Sequence, residues 1–216
     1  MKKLLSLLIA AFGCSTLAEK SAPWETLFDG SSLAHFQAKG GGAITKGWKI
    51  EDGLLYRFEK GGDIETKKTY RDFEFTFEWK VAPGSNSGIK YRHASYNAGV
   101  NGPEYQILDD AEHGNGKNPY TSAAAMYLLA KRLTNDPVKP AGEWNTGKIL
   151  AKGSKIEHWL NGVKVVDIDV STDAFEKQKN ATKFKKYKKY GQLEGSIMLQ
   201  DHNDPVWYRN LRIRTL

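Results

Sequence analysis

An all-β sandwich or barrel is the fold class that this 216-residue sequence predicts, and three observations carry it. Apolar and polar residues alternate with a period of two in many short runs. Glycine-bearing turns punctuate those runs. No window holds the 3.6-residue apolar period of a long amphipathic helix.

The elements follow in order. Glu51-Asp52-Gly53 marks the first tight turn. Phe73, Phe75, Phe77 and Trp79 then alternate with Glu74, Thr76, Glu78 and Lys80 over eight residues. After the turn Pro83-Gly84-Ser85-Asn86, the stretch 86–92 puts Ser87, Ile89 and Tyr91 on one face. Asn86, Gly88, Lys90 and Arg92 take the other. The alternation returns at Tyr105 and Ile107, at Ile156 and Leu160, at Ile197 and Leu199, and at Leu211 and Ile213. Asn161-Gly162, between His158-Trp159-Leu160 and Val163, is the clearest hairpin signal. Residues 93–103 and 109–121 are polar loops of the kind that rim a site. Residues 173–190 read as a solvated loop or a short irregular helix. Neither a repeat nor a linker interrupts the chain, so a single domain is expected over 23–216.

Hydrophobic residues make up 40% of the sequence and aromatics 12%, enough for a core and against wholesale disorder. The net charge of +7 invites a nucleic-acid reading until its location is considered. Seven lysines (177, 179, 183, 185, 186, 188 and 189) and one acid give 176–189 a local +6, and Lys2 and Lys3 carry +2. Subtracting both leaves −1 for the rest, so nucleic acid is not the expected partner. Lysines 177–189 suit contact with polysaccharide or the cell envelope instead. Lys2 and Lys3 precede the apolar run Leu4 to Phe12, which is an export signal too short to span a bilayer. Processing after Ala18 would release a soluble protein starting at Glu19. Processing before Cys14 would leave a lipidated N-terminus as a membrane anchor. Either route predicts an exported, periplasmic, outer-membrane-associated or extracellular protein. With no cysteine after residue 14, the domain must rely on its core alone.

Parity picks out candidate site residues. With Ile89 and Tyr91 in the core, Asn86, Lys90 and Arg92 point outward; with Tyr105 and Ile107 inside, so do Glu104 and Gln106. With Ile149 inside, Trp144, Thr146 and Lys148 point outward, and with Ile197 and Leu199 inside, Gln200 and His202 do. A carboxylate, an imidazole, cations, amides and an indole together suit a polyhydroxylated ligand. Other roles compete. Glu104 and Gln106 could pair across strands on an exposed sheet. His202, within Asp201-His202-Asn203-Asp204-Pro205, could stabilise a turn. His158 shares its parity with Ile156 and Leu160 and reads as structural. His35, His93 and His113 sit in loop-like stretches without metal-ligand spacing. A hard-cation site at Glu104 or at Asp109-Asp110 has no spacing to support it. There is no Gly-x-Ser-x-Gly elbow, phosphate loop or dinucleotide fingerprint.

Seven collinear fragments then identify a relationship: "WETLFDGSSL", "GWKIEDGLL", "YRDFEFTFEWKVAPGSNSGIKYR", "GPEYQILDD", "KPAGEWNTGKIL", "HWLNGVKV" and "GSIMLQDHNDPVWYRNLRIRTL". Over about 190 residues the chain resembles the 3-keto-disaccharide hydrolase domain family, also described as 3-keto-glucoside 1,2-lyase and 3-keto-2-hydroxyglucal hydratase. The resemblance implies a concanavalin A-like lectin/glucanase sandwich, a jelly roll with a concave face, and an exported carbohydrate-active enzyme. It implies site positions at Asn86, Arg92, Glu104, Gln106, Asp109, Trp144, Asn145, Gln200, Asp201 and His202. Lys90 stands where members more often carry an apolar or aromatic residue, and Asn203 where glycine is usual.

A ketone at sugar carbon 3 acidifies the hydrogen on carbon 2, so a carboxylate or imidazole can remove it. Cationic donors, or a bound divalent ion, would stabilise the enolate. Loss of the carbon-1 substituent and addition of water would complete net hydrolysis. Glu104 or His202 is expected as the base, with the other as acid or metal ligand. Arg92, Lys90 and Gln106 are expected on the enolate and hydroxyls, and Trp144 against the ring. Ordinary glycosidases need two flanking carboxylates. Here the strands offer Glu104 alone, and the loop carboxylates Asp109, Asp110 and Glu143 keep that route open. A non-catalytic carbohydrate-binding module and a conventional glycoside hydrolase are the alternatives.

Overall fold

The computed structural model describes residues 22–134 and 138–216; the leader, with Ala18 and Cys14, lies outside the described residues. In chain order the strands are Glu25–Phe28 (β1), Phe36–Ala38 (β2), Trp48–Glu51 (β3), Leu54–Arg57 (β4) and Ile64–Thr66 (β5). Then come Phe73–Val81 (β6), Asn86–Tyr96 (β7), Gly99–Asn101 (β8), Glu104–Leu108 (β9) and Asn145–Lys152 (β10). Lys155–Leu160 (β11), Val163–Asp169 (β12), the helix Asp173–Asn180 (α1), Ser196–Leu199 (β13) and Val206–Thr215 (β14) complete the chain. The larger sheet is ordered β12-β11-β10-β6-β14-β4-β3, with β1 on the second half of β14. The smaller is ordered β2-β5-β13-β7-β8, with β9 also pairing β7. All these pairs are antiparallel, so the expected β-sandwich forms.

Its core is built by the alternation. Phe73, Phe75, Phe77 and Trp79 are all buried on β6, which is paired along its length by β10 and β14. They meet the inner face of the smaller sheet: Phe77 packs edge-on against Tyr105 at 5.1 Å, and Phe73 against Tyr91 at 6.2 Å. The hydroxyls carried inside find partners, as burial demands. Ser87 Oγ lies 3.1 Å from Tyr208 Oη, and Tyr91 Oη lies 2.8 Å from His158 Nε2. His158 is thus structural, as its parity indicated. The Asn161-Gly162 turn has φ of 49° and 85° at its two central residues, the combination that matches the twist of a two-residue hairpin.

One expectation fails here. The strand expected over 86–92 runs on to Tyr96, and its alternation breaks at Arg92. Lys90 pairs with Met198 and His93 with Ser196, so Tyr91 and Arg92 together oppose Ile197. The extra residue is a bulge, with Arg92 at φ 46°. It turns Arg92 inward, fully buried, and brings His93 to the outer face in its place.

Residues 173–190 take the second of the two expected forms, a short helix followed by tight turns, rather than a solvated loop. Thr172 caps α1 by accepting from the Phe175 N–H, and Phe175 and Lys179 are buried. Turns bonded to the third residue back follow, Lys185 N–H to Thr182 O and Tyr187 N–H to Phe184 O. That spacing puts Phe184, Tyr187 and Tyr190 on one side, where Tyr187 and Tyr190 meet Tyr96 and Phe184 stacks on Tyr190 at 5.0 Å. Lysines 185, 186, 188 and 189 stay exposed.

Candidate active site

Three neighbouring strands set the site on the outer face of the smaller sheet. The β7–β9 register puts Lys90 opposite Glu104 and Gly88 opposite Gln106; Met198 of β13 lies on the other side of Lys90. The Gln200 N–H donates to Gly88 O at 2.9 Å, which brings the Gln200 side chain beside Glu104. Around these rows lies a cavity of about 420 Å³, lined also by Asp63, Asn86, His113, Asn115, Tyr127, Lys183, Asp201 and His202. The expected residues Asn86, Lys90, Glu104, Gln106, Gln200 and His202 are brought together there. The 109–121 loop does supply the rim, through His113 and Asn115.

Four expected residues are elsewhere. Arg92 points to the protein interior, where its guanidinium donates to Arg71 O, Gly191 O and Asp72 Oδ1. Asp109 accepts from the Gly84 and Ala111 N–H groups and braces two turns. Asn145 is buried and accepts from Lys139 N–H and Asn161 Nδ2. Trp144 belongs to the other sheet, where the Arg209 guanidinium stacks on its ring at 4.1 Å. A larger cavity of about 550 Å³ opens on that sheet, past Thr76, Thr146 and Trp159. Its one carboxylate among the described residues, Glu78, is held by Arg209 and Asn210.

The three carboxylates at the smaller-sheet cavity differ in their freedom. Asp201 accepts from Arg57 Nε and from the Gly61 and Gly62 N–H groups, at 2.6–2.7 Å. Asp63 accepts from the Asp201 N–H and from Lys39 Nζ, each at 3.0 Å. Both carboxylates therefore fasten the loop that carries His202. Asn203 in that loop has φ 70°, a conformation that glycine takes freely and asparagine tolerates, so the departure from glycine is accommodated.

Among the described residues, Glu104 has no backbone or cation bond of that kind. It is buried, and the loss of solvent pushes its carboxyl above the ordinary range, against the pull of Lys90, Gln200, Lys183 and His202. The same desolvation pulls the Lys90 ammonium down, against Glu104 and Asp63. Gln106 Nε2 donates to Asn86 Oδ1 at 3.1 Å, while Gln106 Oε1 is buried without a partner among the described residues. An unsatisfied acceptor lining a cavity is suited to a ligand hydroxyl. Sequence reasoning missed Lys183 and Tyr127. The Lys183 ammonium lies 4.8 Å over the Tyr127 ring, so the lysine-rich segment borders the site. Among the described residues no group of three or more His, Cys, Asp or Glu side chains is arranged to hold a metal ion. Asp109 and Asp110 are taken up by N–H groups and Arg132. The donor set does not fit the divalent ion considered from the sequence.

Residues 23–214 match the 3-keto-alpha-glucoside-1,2-lyase-like domain. The chain belongs to this family. A 3-keto-disaccharide hydrolase from Bacteroides thetaiotaomicron is 30% identical, over 88% of this chain and 78% of the relative. Two crystal structures of candidate glycosyl hydrolases from Parabacteroides distasonis superpose closely. One is 29% identical with a TM-score of 0.79, covering 89% of this chain and 94% of that one. The other is 28% identical with a TM-score of 0.72, covering 90% and 100%. Family membership makes the chain a carbohydrate-active, hydrolase-like protein, in keeping with a polar cavity rich in amide and charged groups.

Proposed function

We propose that the chain cleaves 3-keto-glucosides by removing the proton on carbon 2 and expelling the carbon-1 substituent. The observation that carries this reading is Glu104, a buried carboxylate of raised pKa facing Lys90, while the other two carboxylates of the cavity are engaged elsewhere. A glycosidase needs two working carboxylates flanking the bond. An elimination next to a ketone needs one base and a cation for the enolate oxygen. The naming of the Bacteroides relative as a 3-keto-disaccharide hydrolase supports the same substrate class.

Glu104 takes the carbon-2 proton, and the C–H electron pair moves into the enolate, whose oxygen at carbon 3 is stabilised by Lys90 and Lys183. As the ketone re-forms, the pair makes the carbon 1–carbon 2 double bond and the glycosidic C–O bond breaks. His202 protonates the departing oxygen. Water then adds across the double bond, hydroxyl to carbon 1 and proton to carbon 2, and the sum is hydrolysis. Gln106, Gln200 and Asn86 bind hydroxyls, and the Tyr127 ring takes the role first given to Trp144. A partly desolvated base suits this task, because a raised pKa makes it a better proton acceptor. We infer from the export-type sequence over 1–18 that the activity lies outside the cytoplasm.

Glu104→Gln should cut kcat on a 3-keto-glucoside by about a hundredfold or more, and His202→Ala by about tenfold or more. The wild-type kcat/KM should fall as acid protonates Glu104, with the limb above the pH range of a free glutamate. Steady-state kinetics on the ketone and on the parent glucoside measure both effects. Full activity in both variants sinks the assignment, turnover of the unoxidised glucoside points to a conventional hydrolase, and binding without turnover points to a binding module.

A further inference from the structure

A second cavity of about 510 Å³ lies beside the first on the same sheet face, bordered by Gln37, Glu65, His93, Ser95, Val100 and Ser196. Strand register joins the two. One cross-strand row runs from Glu104 through Lys90 and Met198 to Glu65 and Gln37. From Lys90 to Glu65 is two strand spacings, about 10 Å, room for one more hexose ring beyond a ring seated at Glu104.

The second cavity has a built polar centre. Glu65 Oε2 accepts from Ser196 Oγ at 2.8 Å and from His93 Nδ1 at 3.1 Å, and Glu65 Oε1 accepts from the Gly40 N–H at 2.9 Å. The His93 side chain is 2% exposed, so its orientation is fixed by this carboxylate. With Nδ1–H donating to Glu65, the neutral ring presents Nε2 as an acceptor. No partner for Nε2 is found among the described residues. Burial favours that neutral ring by lowering the His93 pKa against the pull of Glu65. Around this centre lie the hydroxyl residues Thr66, Thr69, Ser95 and Ser196 and the lysines Lys39 and Lys67, with Ala94 and Val100 as an apolar edge. An oriented acceptor, hydroxyls and a small apolar patch match the surface of a hexose.

We propose that this second cavity holds the leaving-group sugar of a 3-keto disaccharide, with His93 Nε2 accepting from one of its hydroxyls. The inference rests on the proposed function. A disaccharide whose oxidised ring lies at Glu104 has one other ring, attached at carbon 1, and that ring departs in the elimination. The row of strands supplies its berth, and the Lys39–Asp63 pair lies where the two cavities meet.

The test compares two substrates on the full chain: a 3-keto-glucosyl disaccharide and methyl 3-keto-glucoside, which lacks the second ring. His93→Phe removes the acceptor, and Ser95→Trp fills the cavity from an exposed rim position that cannot unfold the sheet. Each should lower the ratio of kcat/KM for the disaccharide to that for the methyl glucoside by about tenfold or more, mainly through KM. A ratio within twofold of wild type overturns the subsite, and Ser95→Trp alone decides if His93→Phe does not fold. If the wild type turns over neither ketone, the proposed chemistry itself fails and the subsite goes with it. Turnover of both with an unmoved ratio overturns the subsite alone.

Discussion

At Gly88 the β7 backbone passes directly beneath the acid and the amide of the site. A Cβ there would lie 2.7 Å from Glu104 Oε1 and 2.9 Å from Gln200 Oε1. Both atoms are the ends of flexible side chains, so alanine should shift them without breaking the sheet. Gly88→Ala is expected to lower kcat by about a hundredfold, the cost of misplacing a base by an ångström, with Tm within about 5 °C of wild type. An unchanged kcat would mean that Glu104 does not act from where it sits. Arg92 shows the opposite behaviour. Its three donors hold Arg71 O, Gly191 O and Asp72 together in the interior, a fork that the point charge of lysine cannot reproduce. Arg92→Lys should cost about 3 kcal/mol of stability in urea unfolding, while the folded variant keeps its KM. A large KM effect with unchanged stability would return Arg92 to the substrate.

The lysine-rich segment after α1 separates into individual roles. Lys183 lines the cavity over Tyr127, whereas lysines 185, 186, 188 and 189 are exposed and line no described cavity. Lys183→Ala should lower kcat/KM on a small 3-keto-glucoside by about tenfold, and alanine at the other four together should leave it within twofold. Equal losses in the two would show that only the net charge of the segment matters. What could be read in advance at this level depended on period. The alternating strands carry their pattern in the sequence, and β6, β11 and β13 form where that pattern indicated. The aromatic face of 184–190 repeats every third residue, a signature of tight turns that a search for 3.6 or 2 passes over. The bulge at Arg92 leaves no local mark. The strand composition continues through it, and the inserted residue is visible only against its partner Ile197.

Across the whole sandwich, parity tells a side chain inside from outside but does not tell which sheet it is on. Asn86, Lys90, Glu104, Gln106 and Gln200 point outward on the smaller sheet; Trp144 and Lys148 point outward too, on the larger one. Half of the site was therefore legible from alternation, and the pairing of non-adjacent strands was needed for the rest. Between the sheets lies a polar link that sets the acid limit of the fold. His158 Nδ1–H donates to Ala124 O at 2.9 Å and Nε2 accepts from Tyr91 Oη, an arrangement that only the neutral ring satisfies. Burial lowers its pKa to about 4, against a weaker upward pull from Ala124 O. In the unfolded chain the ring titrates near 6.5. Stability from the neutral ring is therefore fully present above pH 6.5 and is lost as the pH falls towards 4, on the order of 3 kcal/mol in all. Buried His93, also lowered, adds to the loss in the same direction. Urea unfolding at pH 7 and at pH 4.5 should show that drop in the wild type, and His158→Gln, which cannot take a proton, should show a smaller one from a lower starting stability. Equal drops in the two proteins would assign the acid sensitivity to other groups.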